Sequence, residues 1–329
     1  MIRRLLPWVT VVGVATVSLV FLAWLIVAQQ IEERALAWAD ARRAEGYAIA
    51  WQALDVGGFP FRFELAFAEP RIGRNGWTAE APRLGANYRP WRPDRIDLAA
   101  PRLALTGPEI ASSLEQAVGE VRLGGGQATQ VAIEGVAATA RIRTDDLGRA
   151  DRARLVVDGF SPTTTGLQAG TLSGSMSLWG ARPTPTVAEQ LLFPDPFDLA
   201  ATGAIKGPLT DLAGWRDAGG TLDLSRVVLV WGPMKLDGDA TLALDGQMRL
   251  LGAGTAKFQG LNPVLDRLVA KGQVRPQDAT VAKVVLGLLA KPTADGGTEI
   301  TVPITAQDGR LFLGPAAIAT LRPIVGARP

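Results

Sequence analysis

Runs in which apolar and polar residues alternate, punctuated by glycine and proline, recur from residue 47 onward and constrain the fold more than any other feature. The clearest is Gly57-Gly58-Phe59-Pro60-Phe61-Arg62-Phe63. Phe59, Phe61, Phe63, Leu65 and Phe67 alternate with Pro60, Arg62, Glu64 and Ala66, so an extended chain turns every apolar member to one side. This predicts a half-buried strand. Pro60 has no N–H for a ladder, which places the strand's start at an edge or bend, and Gly57-Gly58 supply the turn before it. The aromatic face either packs into a core or stays open to an apolar ligand.

The same patterning predicts a large antiparallel meander. Tyr47, Ile49 and Trp51 alternate, and Leu54 and Val56 follow in shifted parity, the mark of a bulge or bend. Glu69-Pro70-Arg71-Ile72, Ala81-Pro82-Arg83-Leu84 and Ala100-Pro101-Arg102-Leu103 form a loose repeat whose spacings of 12 and 19 residues exclude a strict solenoid and fit successive strands. Further strands are expected over 128–144, 153–158, 167–179, 198–206, 221–231, 234–236, 240–244, 247–258, 299–305 and 311–313. Turns are expected at Asp145-Asp146-Leu147-Gly148, Asp237-Gly238, Asp245-Gly246 and Asp308-Gly309. Tyr88-Arg89-Pro90-Trp91-Arg92-Pro93 reads as a stiff connection with snorkelling arginines.

Helical spacing is sparser. Ile110, Leu114 and Ala117 predict a short helix within 108–118. Asn262-Pro263 should open a helix that Gly272 closes, and Pro276 a second one through Val281, Val284, Val285, Leu288 and Leu289, with its apolar face on the sheet. The connector 182–196, carrying Val187, Leu191, Leu192 and Phe193, reads as a short packed helix and a candidate sub-boundary.

Residues 8–28 contain only Thr10, Thr16 and Ser18 as polar members, and at about 1.5 Å per residue they match a hydrocarbon layer of about 30 Å. A transmembrane helix is expected. The rival is a cleaved signal peptide, since Ala35, Ala37, Ala39 and Ala41 offer cleavage patterns; the run is too long for an ordinary leader core. Residues 29–46 continue as a helical stalk with Ile31, Ala35, Trp38 and Arg42 on one stripe, ended by Gly46. Arg3 and Arg4 against Arg34, Arg42 and Arg43 nearly balance under the positive-inside rule. The expected layout is a cytoplasmic tail (1–7), a membrane helix (8–28), a stalk (29–46) and a mainly β domain (47–329) outside.

Composition narrows the chemistry. Neither cysteine nor histidine occurs in the 329 residues, which removes disulfides, thiolate and Ser-His-Asp nucleophiles, and the usual cysteine or histidine metal sites. No cofactor or metal is expected. The 34 basic residues nearly balance 32 acidic ones and are scattered, unlike the clustered charge of a nucleic-acid binder. Gly252-Ala253-Gly254-Thr255-Ala256-Lys257 lacks the third Rossmann glycine and the P-loop order, so no nucleotide site is expected there.

Gly46, Tyr47, Trp51, Gly57, Gly58, Phe59, Pro60, Phe61 and Arg62 resemble the N-terminal signature of the bacterial domain of unknown function 2125 family. The ending Asp308-Gly309-Arg310-Leu311-Phe312-Leu313-Gly314-Pro315, and Trp215-Arg216, Gly219-Gly220 and Trp231-Gly232-Pro233 in the middle, are similar to the same family. The resemblance implies an N-terminal membrane helix and a mainly β remainder; it brings no activity and no catalytic residue. More distantly, the layout is similar to AsmA- and TamB-type envelope proteins, whose curved sheets are associated with phospholipid traffic. The expectation is a non-enzymatic protein of the bacterial inner membrane, single-pass, with its bulk in the periplasm. It would hold or pass membrane lipid on the face of Phe59, Phe61, Phe63, Leu65 and Phe67. A scaffold tethering an envelope protein partner is the alternative, and a carboxylate-based hydrolase the outsider.

Overall fold

The computed structural model describes residues 6–108, 110–125, 127–142, 145–158, 171–184, 195–208, 212–272, 274–293 and 297–324. Among them the fold is mainly β: nineteen strands form one antiparallel sheet, accompanied by four helices. Helix α1 (Leu6–Ala44) runs into Gly46, whose φ of +88° lets the N–H groups of Gly46 and Tyr47 return to the carbonyls of Arg43 and Arg42. This is the glycine cap expected there. Among the described residues no helix is long and apolar enough to cross a membrane. The expected span includes residues 8–14 and 17, whose side chains lie outside the described set. The segment expected as a stalk is packed: Ala39 is buried, as is Ala28 at the end of the expected span, three turns before it on the same face, and α1 lies along β1 (Ala48–Ala50) and β2 (Ala53–Gly57).

Strands at this end of the sheet are bent. β3 (Phe63–Ala68) and β4 (Arg71–Arg74) are halves of one strand, as are β5 (Trp77–Glu80) and β6 (Arg83–Tyr88), because β3 pairs with β6 and β4 with β5 in one unbroken register. The breaks fall at Glu69-Pro70 and Ala81-Pro82. There the Glu69 N–H donates to the Pro82 carbonyl and the Ala81 N–H to the Pro70 carbonyl, each proline contributing an acceptor where it has no donor. The third repeat, Ala100-Pro101-Arg102-Leu103, lies in β7 (Arg95–Thr106) at the same level. The repeat therefore marks a crease.

The crease continues without proline through β8 (Ile110–Gly124), β9 (Gln127–Ile142), β10 (Asp145–Asp158) and β11 (Thr171–Pro183). Gln116 (φ +48°), Ala137 (φ +48°) and Gly180 (φ +61°) take left-handed backbone there. The bends invert side-chain parity, so that Ala100 and then Leu103, Ala117 and then Leu114, share the inner side. Ala81, Ala100 and Ala117 are buried in the crease with Leu84, Leu103 and Leu114 against them. Two expectations fall here. The helix expected within 108–118 is strand β8. The turn expected at Asp145-Asp146-Leu147-Gly148 is part of β10, with a bulge between Asp146 and Gly148.

β11 pairs with β12 (Phe197–Lys206), carrying the sheet past the connector, of which residues 185–194 lie outside the described set. β13 (Thr221–Trp231), β14 (Met234–Leu244), β15 (Leu250–Gln259) and β17 (Thr298–Gln307) extend it as a meander. Asp237-Gly238, expected as a turn, sits inside β14; the reversal is at Gly232-Pro233. α2 (Leu212–Asp217) connects β12 to β13 and buries Trp215, whose indole N–H donates to the Lys206 carbonyl. Two short strands, β18 (Arg310–Leu313) and β19 (Ala316–Thr320), follow the expected Asp308-Gly309 turn, and β16 (Lys291–Pro292) borders β17.

Register divides the sheet into two unlike faces. One row runs Phe63, Tyr88, Ile96, Val121, Val131 and Val157 by direct pairing, then through Gly174 and Gly203 to Leu224, Ala240, Gly254 and Ile304. This inner face is apolar. Glycine is required on it where the backbones crowd: a Cβ at Gly174 would overlap the Val156 carbonyl, and one at Gly203 the Asp223 carbonyl. On the outer face, ion pairs cross between strands: Arg71 with Glu80, Arg102 with Glu115, Lys206 with Asp223 and Arg226 with Asp237.

α3 (Leu261–Ala270) and α4 (Pro276–Leu289) meet the inner face at the far end, where Leu261 and Leu286 approach Phe258 and Ile300 around a cavity of about 250 Å³. α3 begins before Asn262: its cap is Gly260 (φ +73°), and Asn262-Pro263 fill the first turn. Gly272 and Pro276 bound the helices as expected. The expected packing of Val281, Val284, Val285, Leu288 and Leu289 on the sheet is overturned, since all five are exposed and α4 packs instead through Ala279, Ala282 and Leu286.

Candidate functional site

Between the two arms of the bent strands lies a groove of about 620 Å³. One wall carries Leu103, Leu105, Leu114 and Ala138, the other Ile133, Leu155, Met176 and Leu178, with Phe197 at one end. Register explains the continuity: Leu103 pairs with Leu114, Leu155 with both Ile133 and Met176, and Ala181 with Phe197. Alternation keeps each set on one side of its strand. Leu155 is 48% and Met176 40% exposed, so the lining is open to solvent along the sheet's middle.

Polar groups at the kink are satisfied by neighbouring side chains. The Gly180 N–H donates to Asp198 Oδ1 (2.8 Å), and Arg182 Nη1 donates to Asp151 Oδ1 (2.5 Å) and to the Gly180 carbonyl (3.3 Å). The bond from Arg182 holds the Asp151 carboxyl below the usual carboxylate range against the opposing pull of desolvation. On the outer face, hydrogen bonds from Lys206 and Thr241 lower Asp223, and one from Arg226 lowers Asp237. Arg149, Arg154 and Arg182, with the hydroxyls of Ser112, Ser113 and Thr139, also border the groove, whose remaining lining is aliphatic, small or aromatic.

The aromatic run is divided by the structure. Phe63 (7% exposed), Leu65 and Phe67 lie in β3 and share the inner face with the groove, with β6 between them and the wall strand β7. Phe59 and Phe61 do not join that strand. The chain turns through the cis Phe59-Pro60 bond, with the Arg62 N–H donating to the Gly58 carbonyl, and β3 starts only at Phe63. Phe59 packs edge-on against Phe21 and Trp24 of α1, at centroid distances of 5.2 and 5.8 Å. Phe61 is 71% exposed. Arg62 pairs with Glu64 at 2.6 Å.

The rest of the N-terminal signature converges on the same joint. Trp24 donates its indole N–H to the Arg62 carbonyl at 3.3 Å. Tyr47 accepts a hydrogen bond from Arg74 (2.9 Å) and lies under that guanidinium, and Trp51 meets Phe67 edge-on with Arg43 over its indole. A Cβ at Gly58 would come within 2.7 Å of the Arg62 carbonyl oxygen. Gly309, next to Arg310 in the C-terminal signature, accepts the Leu321 N–H and lies against Arg249. The signature residues build joints and turns. The groove lining was missed because it is spread over seven strands from Ala79 to Phe197, each supplying one to six residues, most of them ordinary aliphatic or small ones; the repeated Ala-Pro-Arg-Leu was the available signal.

No curated protein matches the chain. The family model described as "Uncharacterized protein conserved in bacteria" (DUF2125) matches residues 24–322, from the tryptophan that clasps the sheet to just past the last strand, so the chain belongs to the DUF2125 family of bacterial proteins.

Proposed function

We propose that this protein is a membrane-anchored, non-catalytic component of the bacterial envelope that holds or passes lipid acyl chains along the inner face of its sheet. Residues 8–28 cross the inner membrane, residues 1–7 stay in the cytoplasm, and the sheet stands on the periplasmic side, its first edge resting on the outer end of the span at Phe21 and Trp24. The groove in the crease carries the reading: its volume falls within the range of about 300–1,000 Å³ typical of small-ligand sites, and aliphatic side chains on both walls dominate a lining that also includes Arg149, Arg154 and Arg182. Burying one methylene there is worth about 0.8 kcal/mol, so a chain of ten carbons has ample driving force without any polar anchor. The site moves from the phenylalanines of β2–β3, which α1 overlies at Phe63, to Leu103, Leu105, Leu155 and Met176.

Native mass spectrometry of the full chain, released from membranes into mild detergent, tests this. Retained phospholipid, and crosslinking of a photoactivatable fatty acid to strands β7 to β11, is the expected result. Lipid-free protein that also fails to crosslink the probe would sink the proposal.

A further inference from the structure

The turn between β2 and β3 (58–62) and the turn between β6 and β7 (89–94) lie side by side at one end of the sheet, because Phe63 pairs with Tyr88 and Tyr88 with Ile96. Both carry exposed aromatics: Phe61 in the first and Trp91, 59% exposed, in the second. Phe59 rests on Phe21 and Trp24 of α1. The far end of the sheet lies where α1 stops, since Ala48 pairs with Gly73, Gly73 with Thr78 and Thr78 with Thr106. From Trp24 to Ala44 the helix rises about 30 Å.

What covers the two turns follows from α1. Around the contact the helix exposes Leu19, Val20, Leu22, Leu25 and Ile26. Phe21 and Trp24 fall seven and four residues before residue 28, where the apolar run ends, so the first turn meets the helix about 6–10 Å inside that end. A bilayer that surrounds residues 8–28 therefore reaches the turn as well, at the depth where aromatic rings occupy the boundary between head groups and acyl chains. A protein partner would have to wrap the apolar helix together with both turns.

The joint suits that setting. The Trp24 indole N–H donates to the Arg62 carbonyl and the Arg62 N–H to the Gly58 carbonyl, while Pro60 has no N–H to satisfy. Charge is balanced: Arg62 pairs with Glu64 and Arg89 with Asp97, and Arg92 and Asp94 are both exposed beside Trp91. Aromatic and apolar surface, not net charge, makes the contact.

We propose that the turns 58–62 and 89–94 are seated in the periplasmic leaflet of the inner membrane, with Phe59, Phe61 and Trp91 at the boundary between head groups and acyl chains. This rests on residues 8–28 spanning that membrane and adds that the sheet itself dips into it.

The chain has no cysteine, so Leu22→Cys, Phe61→Cys, Trp91→Cys and Thr106→Cys each provide a unique thiol for an environment-sensitive dye. Each full-length variant is reconstituted in phosphatidylcholine vesicles with or without acyl-brominated lipid, and aqueous iodide serves as the second quencher. The dye at 22 reports the span and the dye at 106 the far end of the sheet. Bromolipid quenching at 22, 61 and 91 with protection from iodide, and the reverse at 106, is the result expected. Quenching at 22 with none at 61, at 91 or at both overturns the seating and leaves the span standing. No quenching at 22 removes the span and the seating together. Equal bromolipid quenching at 106 marks a sheet lying on the membrane by another surface, and shielding of 61 and 91 from both quenchers marks a protein cover; each overturns the seating.

Discussion

The indole of Trp24 lies parallel to the ring of Phe63, with 5.7 Å between centroids and 4° between planes. A residue of the N-terminal helix thereby stacks on the first member of the apolar row that crosses the sheet.

This contact separates two phenylalanines that sequence treats as equivalent. Phe63→Ala should lower unfolding stability by about 3–5 kcal/mol, the cost of emptying a buried aromatic site. Phe61→Ala should stay within about 0.5 kcal/mol, as expected for a mostly exposed side chain. Denaturant titration of the two variants decides it, and equal losses would contradict the division.

The groove residues should respond in the opposite way. Leu155→Gln combined with Met176→Gln replaces half-exposed side chains, so stability should change by no more than about 1 kcal/mol. Occupancy by a fluorescent fatty acid should drop about tenfold or more. A fall in stability with unchanged occupancy would show these side chains to be structural only.

Backbone crowding on the inner face is testable with a single methyl group. Gly203→Ala places a Cβ against the Asp223 carbonyl, which belongs to a paired strand and has no room to yield. A loss of about 1–3 kcal/mol is expected. Gly85→Ala serves as the control, because its nearest neighbour would be 3.7 Å away, in ordinary contact. It should be close to neutral in a thermal melt.

Acid should loosen the outer face and the kink beside the groove. Asp151, Asp223 and Asp237 are each held below the usual carboxylate range by a hydrogen bond from Arg182, Lys206 and Arg226 respectively. Groups lowered in the folded state add stability that is complete above their unfolded pKa, near 4, and is lost as pH falls through their lower folded values. Stability from these pairs should thus be level above about pH 5 and decline below about pH 4, with Asp237→Asn flattening part of the decline. The groups are solvent-exposed, so 1 M salt should shrink the effect.

Much of the sheet was legible because strand alternation and turn chemistry are local. The hairpin at Asp308-Gly309, the cap at Gly46 and the helices bounded by Gly272 and Pro276 needed only neighbouring residues. What failed depended on the crease. Leu114 and Ala117 are three apart and both face inward because Gln116 inverts the parity between them. That spacing imitates a helix. The α4 stripe failed differently: its periodicity is real, but periodicity does not say whether a face meets protein. Phe59 and Phe61 continue the alternation of β3 in sequence while the turn at Pro60 removes them from it.

Because β9, β10 and β11 each supply residues to both walls of the groove, its width is not a property of its lining. It is fixed by the angle at which each backbone turns at Pro70, Pro82, Pro101, Gln116, Ala137 and Gly180. The lining can drift from leucine to methionine to alanine and alter grip, whereas the gauge of whatever fits between the arms is written into the main chain. Relatives that keep the prolines and the left-handed positions should therefore accept guests of the same girth, however much their wall residues differ.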